Sequence, residues 1–549
     1  MVNLIFTGYS WKVAFALAPK VLPPSIMPVV ILSGSDYEMG YQYGEQAGQY
    51  IEARKDAEWI LQLKKRSSDE VLYGLKEVEY YIGKYAPEQI GQMKGIAEGA
   101  TTAGHEVLFT DVLLLNALLP SPTSAIYPSG AGGSEPLPKA CSNFTAWGST
   151  TTDGSLICSD SFDGIFTHQL VIVAFPDEGN NYITALAAGQ LSNHFIINNK
   201  GLFLGNSGGG ESGRDIDYNY GISWTCALQH IARFADTAFE AKEMLLTWQI
   251  DTVENYHFVD VYGGAFIIEK TAAIQSVREP GDFDETDFLY ATNNYFNDEM
   301  RMTKEFEVFI EHGGYGVFAV PRNLMLWDML HNYQGKVDLE FAKMMWRFPG
   351  NFVSYLSERN LVPVICRPIN RWIGILAPDD GDEGTAYIST GPVGFPIQSL
   401  ATSKWEIMQS TNFLIDGTHT FYELTLAKDP ATVVGIAKNV AQVDIATAYS
   451  GLIMLEDTDT RYAELNEIYS EANVEYCEGI SFYEAGLLAS GNQALSYFAQ
   501  AATAFTRSQA HALQVYEALV SPPTSPSDLG LRPFGGVWGE WESKVRVAR

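Results

Sequence analysis

An α+β fold, built of antiparallel sheets flanked by helical layers, is what this sequence predicts. Three observations carry that prediction. Strand-forming runs arrive as hairpin pairs, helical runs arrive in pairs between the hairpins, and strands do not alternate singly with helices as a parallel βαβ sheet requires. The hairpins pair CSNFTAWGST with SLICSDSF across a TTDG turn and HQLVIVAF with NYITALAA across DEGN. Two more pair HFIIN with GLFLGN across Asn199-Lys200-Gly201, and YHFVDVY with AFIIEK across Gly263-Gly264. Helical pairs are expected near 222–233 and 236–248 and again at 321–333 and 338–347, ahead of further strands at RWIGILA and GTAYIST.

Before the hairpins the periodicity is helical. Ser35 or Asp36 is placed to cap a helix that carries Met39, Tyr43, Ala47 and Ile51 on one face. Further helices are expected at 68–84, 86–100 and 105–118. PSPTSAIYPSGAGGSEPLPKA follows, a run of Pro, Ser, Gly and Ala with linker chemistry, where a chain can be cut. From about 456 to 519 the sequence returns to helical spacing rich in Ala, Glu, Tyr and Leu, without a repeat that marks a solenoid. The expected division is a helical segment 1–140, a core 141–400 and a mainly helical extension 401–549.

A chain of 549 residues has ample length to bury a deep site. Its formal net charge of -31 repels phosphate backbones and anionic lipid, and no Lys/Arg stripe reverses that locally, so nucleic acid is not expected as a partner. The five cysteines are widely spaced, with no CxxC, HExxH or Cys/His comb, so neither a disulfide framework nor a metal site is indicated. The apolar start is broken by Lys12, Lys20 and several prolines and lacks a basic n-region. No stretch reaches the roughly 20 apolar residues of a membrane span. A soluble protein is expected, with the cytoplasm slightly preferred and secretion left open.

Cys141 follows the linker and opens a strand, an unusual position for a cysteine that merely fills a core. If the Ala140-Cys141 bond breaks, the thiol gains an α-amino group whose reference pKa of about 7.7–8.0 suits it to act as base to its own side chain. The same thiol can attack the preceding carbonyl and form a thioester that water resolves. No histidine is then required.

Here the sequence resembles the penicillin acyl-coenzyme A:isopenicillin N acyltransferase group of cysteine N-terminal-nucleophile hydrolases (peptidase family C45), over roughly residues 30–395. GSDYEMGYQYGEQ looks like the family's opening helix, and MKGIAEGATTAG with VLLLNA like its second motif. CSNFTAWGSTTTDGSLICSDSFD is similar to its cysteine start, Phe-x-Ala-Trp-Gly and closing aromatic-Asp pair, and INNKGLFLGNSG, ATNNYF and ICRPINR follow in order.

The resemblance implies a four-layer αββα sandwich, with residues 1–140 as light chain and the remainder as heavy chain, the two staying associated. It implies Cys141 as nucleophile with autocleavage between Ala140 and Cys141, Asp163 as the acid that orients the new amine, and Asn293 as an oxyanion donor. Asp163 also reads as a turn aspartate before Gly164. Asn294 stands where the family commonly has histidine. Asn206 and Arg371, with Arg367 as alternative, are candidate pocket residues, and a turn asparagine is the rival reading of Asn206. Trp147 is expected in the core, Cys158 as an apolar filler, and His168, His194 and His257 as satisfied or exposed histidines.

Asp160, where the family commonly keeps Asn or Arg, adds negative charge near the thiol. The implied activity is cleavage of a linear amide through an acyl-enzyme, without cofactor, on a small-molecule N-acyl or acyl-thioester substrate. Acyl transfer to an amine is the alternative, less favoured because glycines 208–210 are a weak phosphate signature. An inactive module whose helical extension serves assembly, a ceramidase-like enzyme and a homo-oligomer stay open.

Overall fold

The computed structural model describes residues 29–117, 119, 140–163, 169–209, 219–251, 253–301, 323, 326–347, 370–376, 384–389, 397–399, 404–406, 421–425, 430–453, 455 and 461–520. The linker at 120–139, Gly210, His168 and Arg367 lie outside them. For Ala140, Asp163 and Arg371 only the backbone course is described.

The chain enters on strand β1 (Val29–Gly34) and runs into helices α1 (Asp36–Leu63), α2 (Ser68–Tyr85), α3 (Glu88–Thr102) and α4 (Phe109–Leu115). Ser35 caps α1 in a reciprocal box: its hydroxyl accepts from the Glu38 N–H, and the Glu38 carboxylate accepts from the Ser35 N–H at 2.9 Å. Met39, Tyr43, Ala47 and Ile51 are fully buried, so the face expected from their spacing is the one that packs. Helices α1 and α3 touch backbone to backbone. A Cβ at Gly40 would stand 1.9 Å from the Gln92 carbonyl oxygen, one at Gly44 2.0 Å from that of Ile96, and one at Gly99 2.0 Å from that of Tyr41. The glycines of MGYQYGE and KGIAEG are therefore a packing requirement.

Thirteen strands follow in chain order to residue 399: β2 (Ala140–Ala146), β3 (Leu156–Asp163), β4 (Gln169–Pro176), β5 (Tyr182–Ala187), β6 (Phe195–Asn198), β7 (Leu202–Gly208), β8 (Glu254–Asp260), β9 (Ala265–Lys270), β10 (Gln275–Arg278), β11 (Phe288–Ala291), β12 (Asn370–Leu376), β13 (Gly384–Ser389) and β14 (Ile397–Ser399). Between β7 and β8 lie α5 (Trp224–Phe234) and α6 (Ala238–Thr247), and between β11 and β12 lies α7 (Leu339–Arg347). Strands β15 (Lys404–Glu406) and β16 (Phe421–Thr425) then lead to helices α8 (Pro430–Leu452), α9 (Tyr462–Leu488) and α10 (Gly491–Val520).

One sheet has eight strands in the order β1-β4-β5-β6-β7-β8-β9-β10, and the other six in the order β11-β2-β3-β12-β13-β16. All four expected hairpins form, and every pairing is antiparallel except β1 with β4. Strand β1 was not anticipated from its short apolar run. It gains its place only by lying beside β4, far off in sequence.

Alternation along the strands sorts side chains into four layers. Leu170, Ile172, Leu202, Leu204 and Phe258 face the helices α1–α6 on the outside of the larger sheet. Val171, Val173, Phe203 and Ile267 face inward, against Leu156, Cys158, Leu289 and Ala291 of the smaller sheet. Phe144, Ala146, Ile157 and Phe288 turn out toward Leu330, Phe341 and Met345. Helix layer, sheet, sheet and helix layer make an αββα sandwich.

The C-terminal region is integral to it. Strand β16 pairs with β13, and Val434, Phe498 and Phe505 of α8 and α10 join the inter-sheet core. The boundary expected at 400 thus falls inside the smaller sheet, because a strand's partner is set by edge hydrogen bonds that local composition does not record. Likewise the segment before 140 contributes a strand as well as helices. No described helix is long and apolar enough to cross a membrane.

Candidate active site

Strand β2 divides its side chains by alternation. Phe144 and Ala146 enter the outer core, while Cys141, Asn143 and Thr145 are buried on the face toward the larger sheet. The pairing of β11 with β2 sets Ala291 opposite Asn143, so Asn293, two residues on, arrives beside Cys141. The Cys141 backbone N–H donates to Asn293 Oδ1 at 2.7 Å, and Asn293 Nδ2 donates to the Gly208 carbonyl at 2.9 Å. An N–H needs an acceptor and a carbonyl needs a donor, so both neighbours fix the amide in one orientation. Cys141 is 2 % exposed.

On its other side the thiol meets a histidine: Cys141 Sγ lies 3.9 Å from His194 Nε2. His194 precedes β6 and is itself buried. Its Nδ1 is 2.6 Å from the Asn206 carbonyl oxygen, its backbone N–H donates to Asn193 Oδ1 at 2.8 Å, and its ring centroid is 4.9 Å from that of Trp224. Asn206 is held in turn by its Nδ2, which donates to Glu254 Oε2 at 3.0 Å. Among the described residues two other cysteines are buried, Cys158 and Cys226. Burial pushes the Cys158 thiol well above its ordinary value and that of Cys226 up to about 12, leaving both inert as nucleophiles.

Further along the same face, His257 of β8 bridges two inward residues of β2. Its Nδ1 is 2.8 Å from Asn143 Oδ1 and its Nε2 2.9 Å from the Thr145 hydroxyl. Burial, and next the positive charge of Arg278, push this imidazole well below its ordinary value. It is therefore neutral, with Nδ1–H donating to Asn143 and Nε2 accepting from Thr145. Asp160 is fully buried on the inward face of β3, in register with Asn143. A Cβ at Gly205 would stand 2.7 Å from the Phe203 ring and 3.1 Å from Asp160 Oδ2, so glycine there leaves room for both.

The structure places Cys141 against Asn293 on one side and His194 on the other. In the β2–β3 register Cys141 faces Phe162 and Ala140 faces Asp163, and β12 sets Arg371 opposite Ser161. Asn206 reaches the thiol's surroundings through its backbone carbonyl on His194, while its side chain is engaged with Glu254. Asn294 lies 3.0 Å from the Thr292 hydroxyl and binds Asn323, a local role. Trp147 packs against the inter-sheet core, as expected. The hairpin that carries Cys141 was legible in the sequence. The approach of His194 was not, because 53 residues separate it from Cys141.

Fold and site together define an αββα protein with a buried cysteine near the start of an interior strand of the smaller sheet, between an asparagine and a histidine. No family model matches the chain. An uncharacterized protein of Archaeoglobus fulgidus is 26% identical over 369 residues, 61% of this chain. The chain spans about 60% of that relative's length. Among solved structures, the Caenorhabditis elegans ortholog of N-acylethanolamine-hydrolyzing acid amidase is 11% identical with a TM-score of 0.30, covering 44% of this chain and 96% of its own. A mutant conjugated bile acid hydrolase from Clostridium perfringens is 11% identical with a TM-score of 0.31, covering 45% and 88%. The layering described above rests on the sheets and cores of this chain itself.

Proposed function

We propose that the protein is a self-cleaving cysteine hydrolase of the N-terminal-nucleophile type, cutting a linear amide through an acyl-enzyme on Cys141. The observation that carries this reading is the hold on the Cys141 nitrogen by Asn293 Oδ1, next to a thiol on the inward face of an interior strand. An acceptor on this buried nitrogen satisfies its N–H in the uncut chain. A nucleophile whose nitrogen becomes the base gains a fixed position for that amine.

In the mature enzyme the amine takes the thiol proton and the thiolate attacks the substrate carbonyl. The amine's proton then passes to the leaving nitrogen. Water resolves the acyl-enzyme. Asn293 Nδ2 carries two hydrogens, one of them on Gly208, and the oxyanion role is proposed for the other. Asp163 is proposed to orient the new amine and Arg371 to bind substrate. Transfer of the acyl group to an amine is the finer alternative. The test is intact-mass measurement with amino-terminal sequencing of purified protein. A heavy fragment beginning at Cys141 is expected, absent in C141A. A wild-type chain that stays whole on long incubation overturns the reading.

One observation favours a second reading, an inactive module of the same fold: Cys141 is buried in a continuous strand. Under that reading C141A keeps every property of the wild type, whereas under the first it loses both cleavage and turnover of N-acyl amides.

A further inference from the structure

Self-cleavage needs a base that the uncut chain already possesses. Before the cut the Cys141 nitrogen is an amide, its lone pair drawn into the Ala140 carbonyl, so the amine that later serves as base does not yet exist. His194 Nε2, 3.9 Å from Sγ, stands where such a base belongs. Its tautomer follows from the opposite side of the ring. Nδ1 is 2.6 Å from the Asn206 carbonyl, which only accepts, so in the neutral ring the proton is on Nδ1 and the Nε2 lone pair faces the thiol. The ring has little freedom to turn away. Trp224 packs on it, the Asn206 N–H donates to the His194 carbonyl at 3.2 Å, and Glu254 anchors the Asn206 side chain.

We propose that His194 is the base that takes the Cys141 thiol proton in the uncut chain and thereby sets the rate of maturation. This rests on the self-cleaving reading above. The proton passes from Sγ to Nε2, and the thiolate attacks the Ala140 carbonyl carbon through a five-membered ring. The Ala140-Cys141 C–N bond breaks as the imidazolium returns its proton to the departing nitrogen, leaving a thioester between Ala140 and Sγ. Water then adds to the thioester carbonyl and the C–S bond breaks. One proton of the water ends on sulfur, and the other leaves the new carboxyl group for solvent. The products are a carboxylate at Ala140 and a free thiol and amine at Cys141. Water is the sole co-reactant.

The experiment follows conversion of the full-length chain by intact mass in wild type, H194Q and H194A, with circular dichroism and thermal melts run alongside. H194Q is expected to fold as wild type and to cut roughly 100-fold more slowly, the scale of a lost general base. Added imidazole is expected to restore part of the rate in H194A. If H194Q does not fold, 2-fluorohistidine incorporated at the nine histidines keeps the ring's shape and removes its basicity, and a slowing of similar order is expected. H194Q or the fluorinated protein cutting at the wild-type rate overturns the role of His194 and leaves self-cleavage standing. A wild type that never cuts overturns both.

Discussion

At the scale of single residues, the site is held by chains of buried hydrogen bonds. The Cys141 N–H, Asn293 and Gly208 form one such chain, and Thr145, His257 and Asn143 another. Buried donors and acceptors that lose a partner cost about 1–3 kcal/mol each. Asn293→Leu leaves the Cys141 N–H and the Gly208 carbonyl without their acceptor and donor, so a loss within that range per group is expected in urea unfolding. Cleavage before Cys141 should slow with it, because the nitrogen is no longer held. A variant as stable as wild type counts against the hydrogen bonds described. His257→Leu tests the second chain in the same way: a side chain of similar volume stays and the bridge between β8 and β2 goes. A lower midpoint is expected with an unchanged Cys141 register.

At the scale of elements, two contacts make predictions of different kinds. Helices α1 and α3 meet where glycines admit the partner's carbonyls. Gly44→Ala drives a methyl into the Ile96 carbonyl, and about 1–3 kcal/mol of overpacking cost is the least expected. Gly83→Ala, on the open face of α2 where a Cβ meets nothing within 4 Å, should instead be neutral or stabilising. Thermal melts of the two variants give the comparison.

The other contact lies between α9 and α10, where His511 Nδ1 bonds Glu475 at 2.8 Å. That hydrogen bond first, and the Glu475 and Glu471 charges after it, raise the His511 pKa above its ordinary value. An imidazole raised on folding stabilises fully below its unfolded value, about 6.5, and the gain is lost as pH climbs through the higher folded value. Stability should therefore fall from mildly acid to alkaline pH over that window, and E475Q should flatten the decline. An equal slope in E475Q removes this pair from the account.

For the molecule as a whole, the C-terminal helices are bound into the sandwich. The Thr506 hydroxyl donates to the Val29 carbonyl at 3.0 Å, Arg507 pairs with Glu45 at 3.0 Å, and Phe498 and Phe505 sit in the inter-sheet core. A chain ended at 400 loses β16 and that part of the core, and exposes the β13 edge. It is expected to aggregate or to lose near-ultraviolet circular dichroism. A soluble, cooperatively folding 1–400 fragment would show that the region is an accessory after all.

Local pattern by itself determined the four hairpins and where they turn, the capped start of α1, and the strand that carries Cys141. Those features depend on neighbours within a few residues, through alternation, capping and glycine turns. Tertiary structure alone decided that β1 joins β4, that β16 closes the smaller sheet and that His194 stands at the thiol. The partners in each case are dozens to hundreds of residues apart, and their meeting is fixed by sheet register and by the burial of both inner faces.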